Sequence, residues 1–416
     1  MDAQTITILA MVFGFYMAWN IGANDVANAF GTSVGSGALT FAKAVLVAAI
    51  FEFAGAFLAG SQVTDTIKKG IVSPTLFAGD PDLFARGMLA ALLAGALWLN
   101  LATWLGQPVS TTHSIIGAII GFGIAEKGMS AIAWGKMGAV AASWFVSPVA
   151  GGLLGFLIYL SIRKFVLRSD TPARRAHIAV PLAFAMVMVV VVPAVLPTVG
   201  RWIAPHWKTA STPWLVPGCT AALAALGALG TWWFVRSLEI AGAREQEYAQ
   251  VERWFAKMQI MTACYMAFAH GANDVANAIG PIAGIISVVK GTFAAKTVVP
   301  LWLLAFGGVG IVVGLATYGY KVIEAVGKKI TEMTPSRGFA AEMGTATTVM
   351  LCSMMGLPIS TTFVLVGAVM GVGFARGFGA IDLRVIRRIF MSWLVTIPVC
   401  AALCAFFYWL MRVIWP

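Results

Sequence analysis

Long apolar runs recur from one end of the chain to the other, and they constrain the fold more than any other feature. Runs such as 178–199 and 215–235 are too long for strands, and they match the about 20 apolar residues that a helix needs to cross a bilayer core. Hydrophobic residues make up 60% of the 416 residues, and Asp, Glu, Lys and Arg only 11%, well under the roughly 25% typical of soluble domains. A soluble domain with so little wettable surface is excluded. The runs resolve into twelve candidate crossings, at about 5–23, 42–61, 84–104, 108–125, 137–160, 178–199, 214–235, 257–277, 298–320, 339–355, 358–375 and 389–411. The expected fold class is therefore an all-α polytopic membrane protein of about 12 transmembrane segments.

The formal charge of +11 does not indicate nucleic-acid binding, because the basic residues lie between the apolar runs. Segment 163–175 carries Arg163, Lys164, Arg168, Arg174 and Arg175 against Asp170 alone. Segment 376–388 sets four arginines against Asp382, and segment 321–337 sets four basic residues against two acids. Twelve crossings put all three on one side, which the positive-inside rule makes cytoplasmic, leaving both termini extracytoplasmic. Trp202, Trp207 and Trp214 around the outer loop 200–213 suit an interfacial belt, while Arg201, Lys208, Lys290 and Lys296 run against the bias. Segment 236–257, with balanced charges and helix-forming composition, is expected to be a short cytosolic helix. The first apolar run is expected to be retained, with no cleavable signal. Cys219, Cys264, Cys352, Cys400 and Cys404 lie in or beside apolar segments without ligand spacing and are expected to be small buried hydrophobes.

An internal repeat organises these spans. Gly22-Ala23-Asn24-Asp25-Val26-Ala27-Asn28-Ala29 returns as Gly271-Ala272-Asn273-Asp274-Val275-Ala276-Asn277-Ala278. Pro108-Val109-Ser110-Thr111-Thr112 returns as Pro358-Ile359-Ser360-Thr361-Thr362, and Ser143-Trp144 pairs with Ser392-Trp393. Three landmarks in one order argue for duplication of a whole segment. The layout is a first repeat at 1–165, a central helix pair at 166–236, a cytosolic connection at 237–256 and a second repeat at 257–416. Five crossings per repeat give the two copies opposite topology, an architecture of secondary transporters with discontinuous or re-entrant helices and a site at the midplane. A channel can share this layout.

The repeated motifs are polar groups inside apolar runs, which are expensive unless satisfied. Asn24 and Asn28 are four residues apart and share a helix face, as do Asn273 and Asn277. With Asp25 and Asp274 they offer oxygens to a hard cation, and their amides can donate to an anion. The motif glycines and alanines allow close helix approach and would tolerate a helix break; packing by polar and small residues alone is the bland alternative. Pro108 and Pro358, each followed by hydroxyl residues, read as helix starts. Ser110, Thr111, Thr112, Ser360, Thr361 and Thr362 then surround two helix N-termini able to hold an oxyanion. Ionised Asp25 and Asp274 would repel that anion, so a balancing cation or a proton is implied. Glu52 and Glu342 are further acids within or near apolar runs. Gln107, His113, Arg86 and His270 are weaker candidates, and His270 faces Ile21 in the repeat alignment, outside a symmetrical core. No phosphate-binding loop for ATP and no nucleophile with a matching base is visible, so binding rather than catalysis is expected.

The duplicated Asn-Asp and Pro-x-Ser-Thr-Thr motifs resemble those of the inorganic phosphate transporter family, over essentially the whole chain. The resemblance implies a secondary active transporter, not an enzyme, that imports inorganic phosphate by alternating access. It implies no cofactor, with sodium as the co-transported ion, membrane lipid as its surroundings, no nucleic-acid partner and room for a homo-oligomer in a plasma or inner membrane. Asn24, Asp25, Asn28, Asn273, Asp274 and Asn277 would contact sodium and substrate, and the six hydroxyl residues would contact phosphate. Glu52, in Phe51-Glu52-Phe53-Ala54-Gly55, matches an acidic position of the sodium-coupled branch, and Glu342 resembles its counterpart in role. Asn-Asp at both motifs favours sodium, since many proton-coupled members have His-Asp at the first. Proton-coupled or metal–phosphate carriage, sulfate transport and a passive anion channel are the alternatives.

Overall fold

The computed structural model describes residues 2–203, 214–236, 244–292, 299–320, 322, 333–377 and 383–415. These residues are almost all helical, with no strand and one isolated bridge between Val72 and Ile132. The helices are α1 (Ala3–Gly35), α2 (Phe41–Ala59), α3 (Ser61–Gly70), α4 (Pro81–Trp104), α5 (Thr111–Lys127), α6 (Trp134–Ile162) and α7 (Pro172–Ile203). They continue with α8 (Leu215–Arg236), α9 (Arg244–Val289), α10 (Leu301–Tyr318), α11 (Pro335–Met354), α12 (Thr361–Arg376) and α13 (Leu383–Ile414). Each expected crossing falls on one of these helices. Among the described residues nine helical segments are long and apolar enough to cross a membrane, and α5, α11 and α12 are shorter or less apolar. The expected loops 200–213 and 321–337 fall largely outside the described residues, as do residues 378–382 of the loop expected at 376–388, Lys296 and the side chain of Trp393.

Two expectations are corrected. The Asn-Asp motifs do not break their helices: α1 runs through Gly22–Ala29 for 33 residues, and α9 runs through Gly271–Ala278 for 46. The stretch expected to be a separate cytosolic helix is, from Arg244, the first part of α9. No glycine or proline stands between Arg244 and His270 to end it. At about 1.5 Å per residue, α9 far exceeds a hydrocarbon core of about 30 Å. Its projecting end docks α11, where Glu252 accepts from the Ser336 backbone N–H at 2.9 Å and the Ser336 hydroxyl at 2.7 Å. At the other end of the chain Asp2 caps α1, and hydrogen bonds from Thr5 hold its carboxyl below the usual range.

The motif glycines set helix contacts instead. A Cβ on Gly22 would lie 1.9 Å from the Ile311 carbonyl oxygen of α10, and one on Gly271 would lie 2.1 Å from the Glu52 carbonyl oxygen of α2. The contacts are reciprocal: Gly314 meets the Trp19 carbonyl and Gly55 meets the Phe268 carbonyl, each under 2 Å from an added Cβ. Small residues here let helix backbones touch. The first helix of each motif-bearing half thus packs on the second helix of the other.

The chain does turn at the second motif. After α4, Gly106 takes φ +64, and after α11, Gly356 takes φ +68. In each turn two backbone hydrogen bonds close the helix end, from Gln107 N to Ala102 O at 2.9 Å and from Leu357 N to Cys352 O at 2.9 Å among them. This is the left-handed helix stop that glycine permits. Proline and an extended residue follow, and Ser110 and Ser360 then cap α5 and α12 through the backbone N–H groups of His113 and Phe363. Two helical hairpins, α4–α5 and α11–α12, result. Their turns are buried at Val109, Ser110, Ile359 and Ser360, and they meet tip to tip, Thr112 Oγ1 donating to the Ile359 carbonyl at 2.9 Å.

Candidate functional site

The two hairpin tips and the middles of α1 and α9 enclose one buried polar cluster. Asn24 binds the turn of the first hairpin, donating to Thr103 Oγ1 at 3.0 Å and the Gln107 carbonyl at 3.2 Å and accepting from Val109 N at 3.2 Å. Asn273 repeats the two donations, to Ser353 Oγ at 2.9 Å and the Leu357 carbonyl at 3.3 Å, while its Oδ1 has no donor. The second asparagine of each motif reaches the opposite hairpin. Asn28 donates to Thr362 Oγ1 at 2.8 Å, and Asn277 to Thr111 and Thr112 Oγ1, each at 3.2 Å. Each motif helix therefore holds its own hairpin with one amide and the other half's hairpin with the next. Asn24→Ala is expected to lower stability by about 1–3 kcal/mol, because it strands the buried Val109 N–H. Thermal unfolding of the purified protein measures it; an unchanged midpoint would remove Asn24 from the turn's support.

The carboxylates lie at the centre. Asp25 Oδ1 accepts from Asn28 at 3.0 Å, and Asp274 Oδ2 accepts from Thr361 Oγ1 at 2.9 Å. His270 stands between them and Glu52: Nε2 is 2.9 Å from Asp274 and 3.7 Å from Asp25, and Nδ1 is 3.2 Å from Glu52. All four side chains are fully buried. The imidazole lies within ion-pair distance of all three acids but is aligned for a hydrogen bond with none. The sequence ranks His270 among the weaker candidates, and its central place is asymmetric, since Ile21 holds the matching position in the other repeat. The usable signal was its spacing, since a residue four before Asp274 on a helix shares the carboxylate's face.

Several buried oxygens here have no donor: Asp25 Oδ2, Asp274 Oδ1, Asn28 Oδ1 and Asn277 Oδ1. Buried polar atoms are otherwise almost always paired. Clustered acceptor oxygens without donors have the chemistry of a hard-cation site. One ligand atom each from Asp25, His270 and Asp274 lies within 4.8 Å of the others, a spacing that also suits a metal ion. Around these atoms lie the hydroxyls of Thr111, Thr112, Thr361 and Thr362, of which Thr112 and Thr361 donate to the Ile359 carbonyl and Asp274, and the two helix N-termini supply donors for an anion. Ser110 and Ser360 spend their hydroxyls as acceptors in the caps of those helices.

Glu342 is not in this cluster. It receives Thr32 and Ser33 Oγ at 2.6 Å each, Thr262 at 2.7 Å and Gln259 at 3.1 Å. Thr32 and Ser33 lie two helical turns beyond Asp25, about 11 Å along α1. These four partners were not among the expected site residues, and the repeat offers no counterpart to find them by: Pro281 stands opposite Thr32 and Ala10 opposite Gln259. His113 is buried and packs edge-on against Trp144 and Phe363, and Arg86 donates to the Trp415 carbonyl.

A model of the phosphate transporter family matches residues 21–404. The chain is 44% identical to a putative phosphate permease of Pyrococcus abyssi over 100% of this chain and 99% of that one. It is 43% identical to a putative phosphate permease of Haemophilus influenzae, covering 98% of this chain and 96% of that one. It is also 44% identical to the chloroplastic inorganic phosphate transporter 2-1 of Arabidopsis thaliana, across 99% of this chain and 73% of that one. Among solved structures, a sodium-dependent phosphate transporter matches with a TM-score of 0.90 and 40% identity, covering 99% of this chain and 100% of that one.

Proposed function

The chain belongs to the phosphate transporter family, and from that premise we propose that it imports inorganic phosphate with sodium by alternating access. As a member it is an integral membrane transporter rather than an enzyme. The observation that carries the sodium reading is the set of donor-free oxygens on Asp25, Asp274, Asn28 and Asn277, set among hydroxyl and helix-terminus donors. Three acids face one imidazole in a buried space, so an arriving phosphate meets net repulsion unless cations come with it. Sodium held by Asp25 and Asp274 removes that repulsion and makes the two cargoes depend on each other. The four threonines and the N-termini of α5 and α12 hold the phosphate oxygens. Glu342, with Thr32, Ser33 and Thr262, holds a further sodium. The name of the solved sodium-dependent neighbour supports this coupling.

In this reading residues 1–165 and 257–416 are repeats of opposite topology, 166–236 is the central helix pair and 237–256 the cytosolic connection. Both termini face outward. Counting each helical hairpin as entering and leaving on one side keeps the number of crossings per repeat odd, so the inversion survives. Alternating access consists of the hairpin tips parting first toward one side and then the other, breaking contacts such as Thr112 to Ile359.

A second reading has one observation in its favour. The imidazole of His270 beside Asp25 and Asp274 suits a divalent transition metal better than sodium, which would make the cargo a metal–phosphate complex. Competition against labelled phosphate in proteoliposomes tests the substrate. Arsenate, of like shape and charge, is expected to compete within about threefold of unlabelled phosphate, and sulfate at least about tenfold more weakly. Equal competition by sulfate would overturn the phosphate assignment, and uptake that sodium cannot support without added divalent metal would favour the second reading.

A further inference from the structure

A groove of about 570 Å³ opens between α6 and α7, and none of its lining residues belongs to the polar cluster. One wall is Leu154 and Leu157 of α6 with Phe165 just beyond its end, the other Ile178, Ala179 and Met186 of α7. Along α7 the lining runs from Arg175 to Met186, about 16 Å at 1.5 Å per residue. That is close to half of a hydrocarbon core of about 30 Å, the depth of one leaflet. The groove is apolar over this length, and its cations gather at one end. Arg175 itself lines the mouth, and Lys164 stands over the ring of the lining residue Phe165, 5.4 Å from its centre. Arg175 and Lys164 are exposed, and no carboxylate among the described residues lies within ion-pair distance of either. Segment 163–175, which joins α6 to α7 and includes the first residues of α7, holds five basic residues and a single acid, Asp170.

An apolar slot one leaflet deep, closed at the interface by unneutralised arginine and lysine, matches one class of molecule. We infer that it is a binding site for an anionic phospholipid, with one acyl chain in the groove and the headgroup phosphate at Arg175 and Lys164. Snorkelling cations at this depth attract anionic headgroups, and zwitterionic ones far less. The floor gives the site a route to the transport machinery. Phe255 of α9 and Phe339 of α11 form it, with ring centres 5.7 Å apart. One turn further along the same two helices, Gln259 donates to Glu342 at 3.1 Å. An acyl chain against the two rings therefore bears on the helices that position this buried acid.

Native mass spectrometry of the delipidated full-length protein tests the inference, with palmitoyl-oleoyl phosphatidylglycerol and phosphatidylcholine as probes. One tightly held phosphatidylglycerol per chain is expected, at least about fivefold tighter than phosphatidylcholine. Arg175→Glu should erase the difference, Arg175→Lys should keep it, and Ala179→Trp should fill the groove and remove the retained lipid. Monodispersity and unfolding midpoint establish that each variant is folded. Equal retention of the two lipids by the unaltered protein would overturn the inference, as would phosphatidylglycerol retention unaffected by Ala179→Trp. If Ala179→Trp instead splits an oligomer, the groove is covered by a second copy of the chain and the lipid assignment is wrong.

Discussion

Asp25→Asn is expected to abolish sodium-driven phosphate uptake while leaving the protein folded. The substitution keeps the shape of the side chain and an oxygen to accept from Asn28, 3.0 Å away in the native protein. What it removes is one of three acids facing a single imidazole. In the empty protein that loss relieves like-charge repulsion, so the unfolding midpoint should stay level or rise. In the loaded protein it leaves a buried cation short of its counter-charge. Such a deficit costs about 3–5 kcal/mol, which lowers uptake at least about a hundredfold. Asp274→Asn should behave alike. Labelled uptake and thermal unfolding, measured on the same purified samples, separate the two effects. Near-normal uptake by a folded Asp25→Asn protein would remove this carboxylate from the mechanism.

Gly271→Ala is expected to act through the backbone and to damage both folding and transport. Its new methyl would lie 2.1 Å from the Glu52 carbonyl oxygen, and a helix backbone cannot yield as a flexible side chain does. α2 must move off α9, carrying Glu52 away from His270, from which it is 3.2 Å. Overpacking of this kind costs about 1–3 kcal/mol, and uptake should fall about tenfold or more. Gly138→Ala, on the open face of α6 where an added Cβ meets nothing within 4 Å, is the control and should be silent. Equal behaviour of the two variants would show that the α2–α9 contact does not position the site.

The apolar runs fall on all nine helices that are long and apolar enough to cross a membrane among the described residues, because burying a backbone in lipid leaves little choice but helix. The repeated motifs lead to the buried polar cluster for a related reason: polar side chains at that depth need partners, and the second asparagine of each copy finds its own on the other half's hairpin. Three features were not legible. His270 was set aside because symmetry was used to rank candidates, and the imidazole is where the two halves differ. The glycines of the Asn-Asp segments allow either close helix approach or a break, and only the neighbouring backbones of α2 and α10 decide for contact. The division of labour between Asn24, which holds a turn, and Asn28, which faces the opposite hairpin, depends on where the hairpin tips lie. No spacing within one helix encodes that.

The central claim is that sodium and phosphate cross together, and imposed ion gradients in proteoliposomes test it directly. With equal pH on both sides and no added divalent metal, an inward sodium gradient should concentrate labelled phosphate inside the vesicles above the external level. Collapsing the sodium gradient should end the accumulation. Accumulation that ignored sodium and followed a proton gradient, or phosphate that only equilibrated across the membrane, would contradict the account.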